Sequence, residues 1–116
     1  GDVLLVEVAR RVRNCVRESD TVARIGGDEF VVLLRTVDSE SGALAVADKI
    51  RVALGQPVCV GEHRLGVSAS IGVAMFPAHG EDDLALTQHA DIAMYEAKAR
   101  GGDAVYVFRA GEAGVA

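Results

Sequence analysis

Apolar positions along the chain repeat with two different periods, and the change of period divides the chain into helices and strands. Leu5, Val8, Val12 and Val16 are three or four residues apart, as on one face of a helix over residues 3–16. The same spacing predicts two further helices, with apolar stripes at Ala43, Ala47, Ile50 and Leu54 and at Leu86, Ala90, Ala93, Met94 and Ala97.

Polar residues and glycines mark the ends of these helices. Ser39 or Ser41 can cap the second helix, and Gly55 ends it. Three acidic residues, 81–83, put negative charge at the positive end of the third helix, which ends at glycines 101–102. Each predicted helix beyond the first therefore has both a start and a stop signal.

Short segments rich in β-branched and large apolar residues predict strands between the helices. Residues 21–25 and 30–34 flank a glycine-led turn and are expected to form a hairpin. Residues 58–60 and a longer strand through residues 67–73 are expected to form a second hairpin, and residues 104–108 a last strand. With neighbouring strands joined by hairpins, this order of elements predicts an α+β fold in which helices cover a sheet.

Composition limits the size of the protein and the class of its partners. The 116 residues, half of them hydrophobic, suffice for one domain with its own core. We assign residues 1–109 to that domain and the Gly- and Ala-rich residues 110–116 to a flexible tail. The net charge of −5 argues against a general nucleic-acid surface, and no apolar run reaches the ~20 residues of a membrane span. We therefore expect neither nucleic-acid binding nor membrane contact by this domain.

The cysteines and histidines do not form metal-binding motifs. Cys15 and Cys59 stand alone without a CxxC pair, which excludes a thiolate metal site and suits the reducing cytoplasm, whether or not a longer parent protein is membrane-anchored. His63, His79 and His89 are far apart in the sequence and lack the spacing of metal ligands. We assign these histidines no role.

The turn at residues 26–29 is a candidate site. Gly26 and Gly27 can adopt positive φ and let a ligand approach the main chain, with amides available to oxygen atoms. Asp28 and Glu29 offer the carboxylate oxygens that Mg²⁺ prefers. Composition alone still favours a solvated turn, because Gly and Asp are common turn residues.

A series of motifs changes that balance. The signature GGDEF at residues 26–30 resembles the GGDEF domain of bacterial diguanylate cyclases. Other segments resemble further motifs of that family in the same order: GDVLL at residues 1–5, RESD at 17–20, SIGVA at 70–74 and ADIAMYEAK at 90–98. The resemblance implies a ferredoxin-like α+β fold with a palm-type antiparallel sheet covered by helices.

The resemblance also implies an activity, the condensation of two GTP molecules into cyclic di-GMP with release of two pyrophosphates. The resemblance implies that Asp28 binds the Mg²⁺ (or Mn²⁺) ion and that Glu29 is a second acid beside it. Gly26 and Gly27 would let GTP lie against the backbone, and Asp2 would accept hydrogen bonds from guanine. Two such domains, each holding one GTP, would act as a homodimer under an attached sensor domain.

Lys98 matches the family's phosphate-contacting lysine. A lysine in the last turn of a helix also complements the helix dipole and is usually just solvated. The family often has an arginine four residues later, where this chain has Gly102. We expect either a weaker grip on phosphate or compensation by Arg100.

Arg17 and Asp20 match the family's RxxD product-inhibition motif. The guanidinium of Arg17 could form bidentate hydrogen bonds with guanine or phosphate. Asp20 would accept a hydrogen bond from a base or orient the arginine. Without the motif, both residues would be interpreted as ordinary surface charges at a helix-to-strand junction. The resemblance implies that bound cyclic di-GMP inhibits the enzyme by restraining the pairing of domains.

The chain also departs from the family pattern. Family members begin with a central strand and helix that carry a first metal-binding Asp and a guanine-reading Asn, and residue 1 here already matches the later GD position. We expect a parent protein that is a cyclase, while residues 1–116 alone are inactive. Without the central strand, two strand edges would be exposed.

A second interpretation is a binding module rather than an enzyme. In that case a catalytically inactive GGDEF domain senses cyclic di-GMP through Arg17 and Asp20, or binds GTP to regulate a neighbouring phosphodiesterase domain. The intact GGDEF signature favours the enzyme. The missing first metal ligand and Gly102 favour the binding module.

Overall fold

The computed structural model describes residues 2–109, and residues 110–116, predicted to be a tail, lie outside the described residues. Three helices and six strands follow one another along the chain. They are α1 (Asp2–Cys15), β1 (Thr21–Gly26), β2 (Glu29–Leu34), α2 (Glu40–Leu54), β3 (Val58–Val60), β4 (His63–Leu65), β5 (Ser70–Met75), α3 (Asp83–Ala99) and β6 (Ala104–Val107). The predicted α+β class is confirmed.

The helix stripes are buried as their spacing predicts. In α2 and α3 the buried residues are those of the two predicted stripes. Ser39, rather than Ser41, caps α2 by accepting a hydrogen bond from the amide of Gly42 at 3.1 Å, and Gly55 ends the helix. Asp82 caps α3 in the same way through the amide of Ala85 at 2.8 Å.

The main sheet has the order β1-β2-β5-β6, and it is mixed rather than antiparallel throughout. β1 pairs with β2 as an antiparallel hairpin, but β2 and β5 are parallel, as are β5 and β6. The long connections through α2 and α3 bring the chain back to the same end of the sheet, so each following strand runs parallel to its neighbour.

The second predicted hairpin is also rearranged. β3 pairs with the short strand β4, and together they form a separate two-stranded sheet. The strand predicted to begin near residue 67 begins at Ser70 and lies in the main sheet instead. Alternating hydrophobicity fixes which face of a strand is buried, but it does not identify the pairing partner.

The expectation of two exposed strand edges is wrong. Six residues of β2, from Glu29 to Leu34, pair in register with Ser70 to Met75 of β5. Within residues 2–109 the edges of the main sheet are therefore β1 and β6.

Side chains of the central strands alternate between two hydrophobic layers. Phe30, Val32 and Leu34 face α1 and α2, where they pack with Ile50 and Ile71. On the opposite face, β2 contributes its odd-numbered residues to a layer under α3, comprising Val31, Leu33, Ala74, Leu86, Ala90, Ala93, Met94 and Phe108. The sheet is thus covered on both faces, with α3 alone on one of them.

Two histidines, His79 after β5 and His89 on α3, pack against Phe108. The rings of His79 and His89 lie 5.3 Å and 4.2 Å from the Phe108 ring, the second one stacked. The Nδ1 atom of His79 accepts a hydrogen bond from the amide of Met75 at 2.9 Å. Burial lowers the pKa of His79, which favours the neutral ring that can accept this bond.

Gly72 allows α3 to approach β5 closely. A Cβ atom at this position would lie 1.9 Å from the carbonyl oxygen of Ala90 and 2.4 Å from the amide nitrogen of Met94. Both are backbone atoms of α3, so the whole helix would have to move away from the sheet.

We expect Gly72→Ala to lower the free energy of unfolding by at least ~3 kcal/mol, because the helix cannot yield locally. Gly66→Ala is the matched control, since no atom lies within 4 Å of its added Cβ, and its effect should stay within about 0.5 kcal/mol. Urea unfolding measures the free energy of unfolding of both variants. Equal stability of the two variants would show that α3 does not depend on this contact.

Candidate functional site

The two residues between β1 and β2 form an open turn. Gly27 has a φ of +34°, and no heavy atom lies within 4 Å of the position where its Cβ would stand. Gly26 and Glu29 face each other across the hairpin. The turn therefore exposes backbone at Gly27, as the glycine signature predicts.

Asp28 combines an exposed side chain with a fixed backbone. Its carbonyl oxygen accepts a hydrogen bond from the amide of Ser70, the first residue of β5, at 2.9 Å. The residue also borders a cavity of about 320 Å³ between the turn, the loop 66–68 and the start of α1. An exposed carboxylate on an anchored peptide is available to a ligand.

The start of α1 forms the apolar wall of this cavity through Leu4, Leu5 and Val8. Asp2 is the first residue of the same helix. The structure thus brings Leu4 and Leu5, the last two residues of the GDVLL motif, and the GGDEF turn to one cavity. The guanine contact assigned to Asp2 stays a prediction.

Lys98 forms an ion pair with Glu29 across the sheet face. The two residues are 69 positions apart in the sequence, and Glu29 is the more buried partner, with 18% of its side chain exposed against 53% for Lys98. Hydrogen bonding to Glu29 raises the pKa of Lys98, and the charges of Glu29 and, more weakly, Asp28 act in the same direction. The ammonium therefore lies in the field of both acids.

Lys98 is in the last turn of α3, where a lysine also complements the helix dipole. Its pairing with Glu29 distinguishes it from a lysine that is simply solvated. The predicted residues Gly26, Gly27, Asp28, Glu29 and Lys98 are thus brought together at one end of the sheet.

Arg100, expected to compensate for the arginine absent at position 102, contacts neighbouring side chains, and the compensation stays a prediction. Its guanidinium bonds to Glu96 at 3.1 Å and lies over the ring of Tyr106, 4.8 Å from the centroid. Tyr106 belongs to β6, whereas Lys98 reaches Glu29 on β2. Gly102 itself has a φ of +73°, a conformation that an arginine would adopt only with strain.

Asp20 has a structural role that the sequence analysis did not predict. The residue is 5% exposed, and its two carboxylate oxygens accept hydrogen bonds from the amides of Arg17 at 2.9 Å and Arg35 at 2.8 Å. It ties the α1–β1 junction to the end of β2. Its two predicted ligand roles, accepting from a base and orienting Arg17, stay predictions.

Arg17 itself is exposed beside a second cavity. Its guanidinium donates to the hydroxyl of Thr36 at 3.1 Å. The cavity, of about 330 Å³, combines a polar rim with an apolar floor and is lined by Asn14, Cys15, Val16, Arg17, Asp20, Thr36, Val37, Ala45, Val46 and Lys49. It lies at the opposite end of β2 from Asp28, roughly 20 Å away over six strand residues.

Comparison with known proteins identifies the family. The family model "Diguanylate cyclase, GGDEF domain" matches residues 1–104 of the chain. The chain belongs to the GGDEF family. The resemblance inferred from the motifs is confirmed.

Two relatives and one solved structure illustrate the range of the GGDEF family. The chain is 45% identical over 101 residues to the bifunctional diguanylate cyclase/cyclic di-GMP phosphodiesterase MucR of Pseudomonas aeruginosa, covering 87% of this chain and 15% of MucR. It is 40% identical over 108 residues to the cyclic di-GMP phosphodiesterase PdeR of Escherichia coli, covering 93% of this chain and 16% of PdeR.

The solved structure that the chain resembles is the GGDEF domain of TpbB from Pseudomonas aeruginosa. It is 37% identical with a TM-score of 0.81, and the match covers 98% of this chain and 67% of that one. The chain thus spans about a sixth of the length of MucR and PdeR and two thirds of a solved GGDEF domain. GGDEF domains in these relatives are parts of longer proteins.

Asp28 and Glu29 are compatible with the Mg²⁺ ion that the family implies. No cluster of three or more His, Cys, Asp or Glu residues with the geometry of a metal site occurs among residues 2–109. Mg²⁺ is commonly held by one or two carboxylates, with substrate phosphates and waters as its other ligands. Asp28 and Glu29 fit that pattern.

No helix in the described part of the chain is long and apolar enough to cross a membrane.

The structure adds two residues that sequence reasoning did not place at the turn. Arg24 donates a hydrogen bond from Nε to the carbonyl oxygen of Gly27 at 2.7 Å. The amide of Ser70 donates a hydrogen bond to the carbonyl oxygen of Asp28. In the sequence, only the closeness of Arg24 to the GGDEF signature could have indicated that it contacts the turn. Ser70 was predicted as a strand residue, and its contact depends on the β2–β5 pairing.

We expect Asp20→Asn to lower the free energy of unfolding by ~1–3 kcal/mol, because the amide nitrogen of Asn would face a backbone N–H that now has an acceptor. The exposed Asp38→Asn is the control and should change stability by less than about 0.5 kcal/mol. Thermal and urea unfolding measure the difference. If Asp20→Asn were as stable as the control, Asp20 would be free for a ligand.

Proposed function

We propose that this chain is the greater part of a diguanylate cyclase domain, which condenses two GTP molecules into cyclic di-GMP and releases two pyrophosphates. The observation that carries the proposal is the arrangement at the hairpin turn. An exposed carboxylate, Asp28, stands on an anchored backbone beside an acid–lysine pair, Glu29 and Lys98. Family membership supports the same reaction class.

In the proposed reaction the 3′-hydroxyl of each GTP attacks the α-phosphorus of the other, and the bond to pyrophosphate breaks. Mg²⁺, when bound, would lower the pKa of the hydroxyl and neutralise charge on the phosphates. Asp28 would hold the ion, and Glu29 would position the ion or the hydroxyl. The exposed backbone at Gly27 would let the phosphates approach the turn.

Lys98 would serve as the phosphate contact. Its side chain is half exposed, so the ammonium can turn from Glu29 towards a triphosphate without crossing the core. A triphosphate brings more negative charge than one carboxylate, so exchange of partners is electrostatically reasonable. Before GTP arrives, Glu29 keeps the ammonium beside the turn.

One domain offers one such turn among its described residues, whereas the reaction joins two nucleotides. We therefore propose a homodimer in which each domain presents one GTP. The whole protein is expected to carry further domains, as the name of the bifunctional relative MucR indicates for that protein.

The second candidate is an inactive regulatory GGDEF domain. Two observations favour it: PdeR, 40% identical, is named a phosphodiesterase, and this chain has Gly102 where the family often has an arginine. In this alternative the domain binds GTP or cyclic di-GMP and regulates a neighbouring phosphodiesterase domain. Calorimetry with GTP and with cyclic di-GMP, together with a turnover assay on the full-length protein, separates the candidates.

We predict that Asp28→Asn in the full-length protein lowers cyclic di-GMP formation by about 100-fold or more, because the amide cannot replace an anionic metal ligand. Product formation with Mg²⁺ and GTP, followed by chromatography, measures the loss. The unfolding midpoint should be unchanged, since the side chain is exposed.

Glu62→Gln removes an exposed acid in the β3–β4 turn and should retain wild-type activity. Retained activity in Asp28→Asn would remove that residue from the metal site. A wild-type protein that binds GTP but forms no product would favour the regulatory module.

We also propose that the cavity beside Arg17 binds cyclic di-GMP as an inhibitor. The cavity pairs two cationic side chains, Arg17 and Lys49, with an apolar floor, as a phosphodiester with flat bases requires. Because Asp20 is engaged with two backbone amides, we assign the ligand contact to Arg17.

We predict that Arg17→Ala raises the cyclic di-GMP concentration for half-maximal inhibition by roughly ten- to a hundredfold, the worth of a charge-assisted hydrogen bond pair. The turnover rate without product should not change. Arg64→Ala, an exposed arginine on β4 that does not line the cavity, is the control. Unaltered inhibition in Arg17→Ala would refute this assignment.

A further inference from the structure

The two peptide groups that flank Asp28 are each held by one hydrogen bond from outside the turn. The carbonyl of Gly27, on the N-terminal side, accepts from Nε of Arg24 at 2.7 Å. The carbonyl of Asp28, on the C-terminal side, accepts from the amide of Ser70 at 2.9 Å. The backbone torsions of Asp28 lie between these two fixed planes, so together they set the direction of its Cα–Cβ bond.

The hairpin ladder does not provide the first of these bonds. The register between β1 and β2 shifts at residues 24 to 26, where Arg24 pairs with Phe30 and Gly26 with Glu29. A bulge of this kind leaves backbone groups without ladder partners. At Gly27, which has positive φ and open space around it, the donor is a side chain.

The chemistry of Arg24 suits this role. A hydrogen bond from a guanidinium is charge-assisted and stronger than a neutral one. The arginine, although exposed, also lines an apolar cavity with Val22, Phe30 and residues of α1, where the aliphatic part of a long side chain can pack. The guanidinium is thereby held over the turn.

We propose that Arg24 is a positioning residue: through the carbonyl of Gly27 it aims the carboxylate of Asp28 towards the metal and nucleotide. The catalytic consequence rests on the proposed cyclase or GTP-binding function, whereas the effect on the turn does not. Ser70 fixes the other peptide as part of the sheet, so Arg24 is the part of this arrangement that a side-chain substitution can remove.

The first test measures the turn itself. In the 116-residue chain labelled with ¹⁵N and ¹³C, Arg24→Ala should lower the order parameters of Gly27 and Asp28 from about 0.85 to below about 0.6 and shift the carbonyl carbon of Gly27. Arg24→Lys, which keeps a cationic donor, should restore much of the order. Arg10→Ala, an exposed arginine bonded to Glu7, is the control and should leave the turn unchanged.

The second test measures metal binding without turnover. Electron paramagnetic resonance of Mn²⁺ with a non-hydrolysable GTP analogue, on the full-length protein, should show about tenfold or greater weakening in Arg24→Ala and partial rescue in Arg24→Lys. The unfolding midpoint should stay near that of Arg10→Ala. A general loss of structure would instead lower the midpoint and broaden signals beyond the turn.

The outcomes separate this inference from the proposed function. If the turn of Arg24→Ala stays ordered, or the variant binds Mn²⁺ and nucleotide as the wild type does, the positioning role is wrong. If wild-type protein binds no Mn²⁺–nucleotide while Arg24→Ala loosens the turn, the proposed function fails and the structural link from Arg24 to Asp28 stands.

Discussion

The close contact between α3 and Gly72 of β5 is the constraint on which the rest of the site depends. Backbone atoms of Ala90 and Met94 occupy the space that a side chain would need. This contact fixes the height of α3 above the sheet, and about one helical turn after Met94 the same helix carries Lys98 to Glu29. A helix further from the sheet would leave the lysine away from the turn.

The first residue of β5 connects the sheet to the turn. Ser70 pairs with Glu29 on one side and Ala104 on the other, and its amide also binds the carbonyl of Asp28. The turn that carries Asp28 is consequently a continuation of the paired strands β2 and β5 rather than a free loop. Residues placed on regular elements are held more precisely than residues on loops, which suits the proposed role of this site in orienting a metal and a nucleotide.

Predictability from the sequence depended on whether a feature is local. The stripes of α2 and α3 were predicted residue by residue, because a helix buries one face whatever its neighbours are. The partner of β5 was not predicted, since pairing depends on how long connections return. Within the site, the motif indicated Asp28 and Lys98. The burial of Asp20 and the bond from Arg24 depend on the α1–β1 junction and on a bulge that composition does not reveal.

The placement of the two cavities limits how product could inhibit the reaction. β2 runs from the acid turn at Glu29 to the rim of the Arg17 cavity near Thr36, and it is buried and paired on both sides. A ligand beside Arg17 lies roughly 20 Å from Asp28 and cannot touch the metal or the phosphates. If the product binds there as proposed, it would inhibit by favouring an arrangement of whole domains in which two turns do not meet, which requires higher affinity of the product for that arrangement.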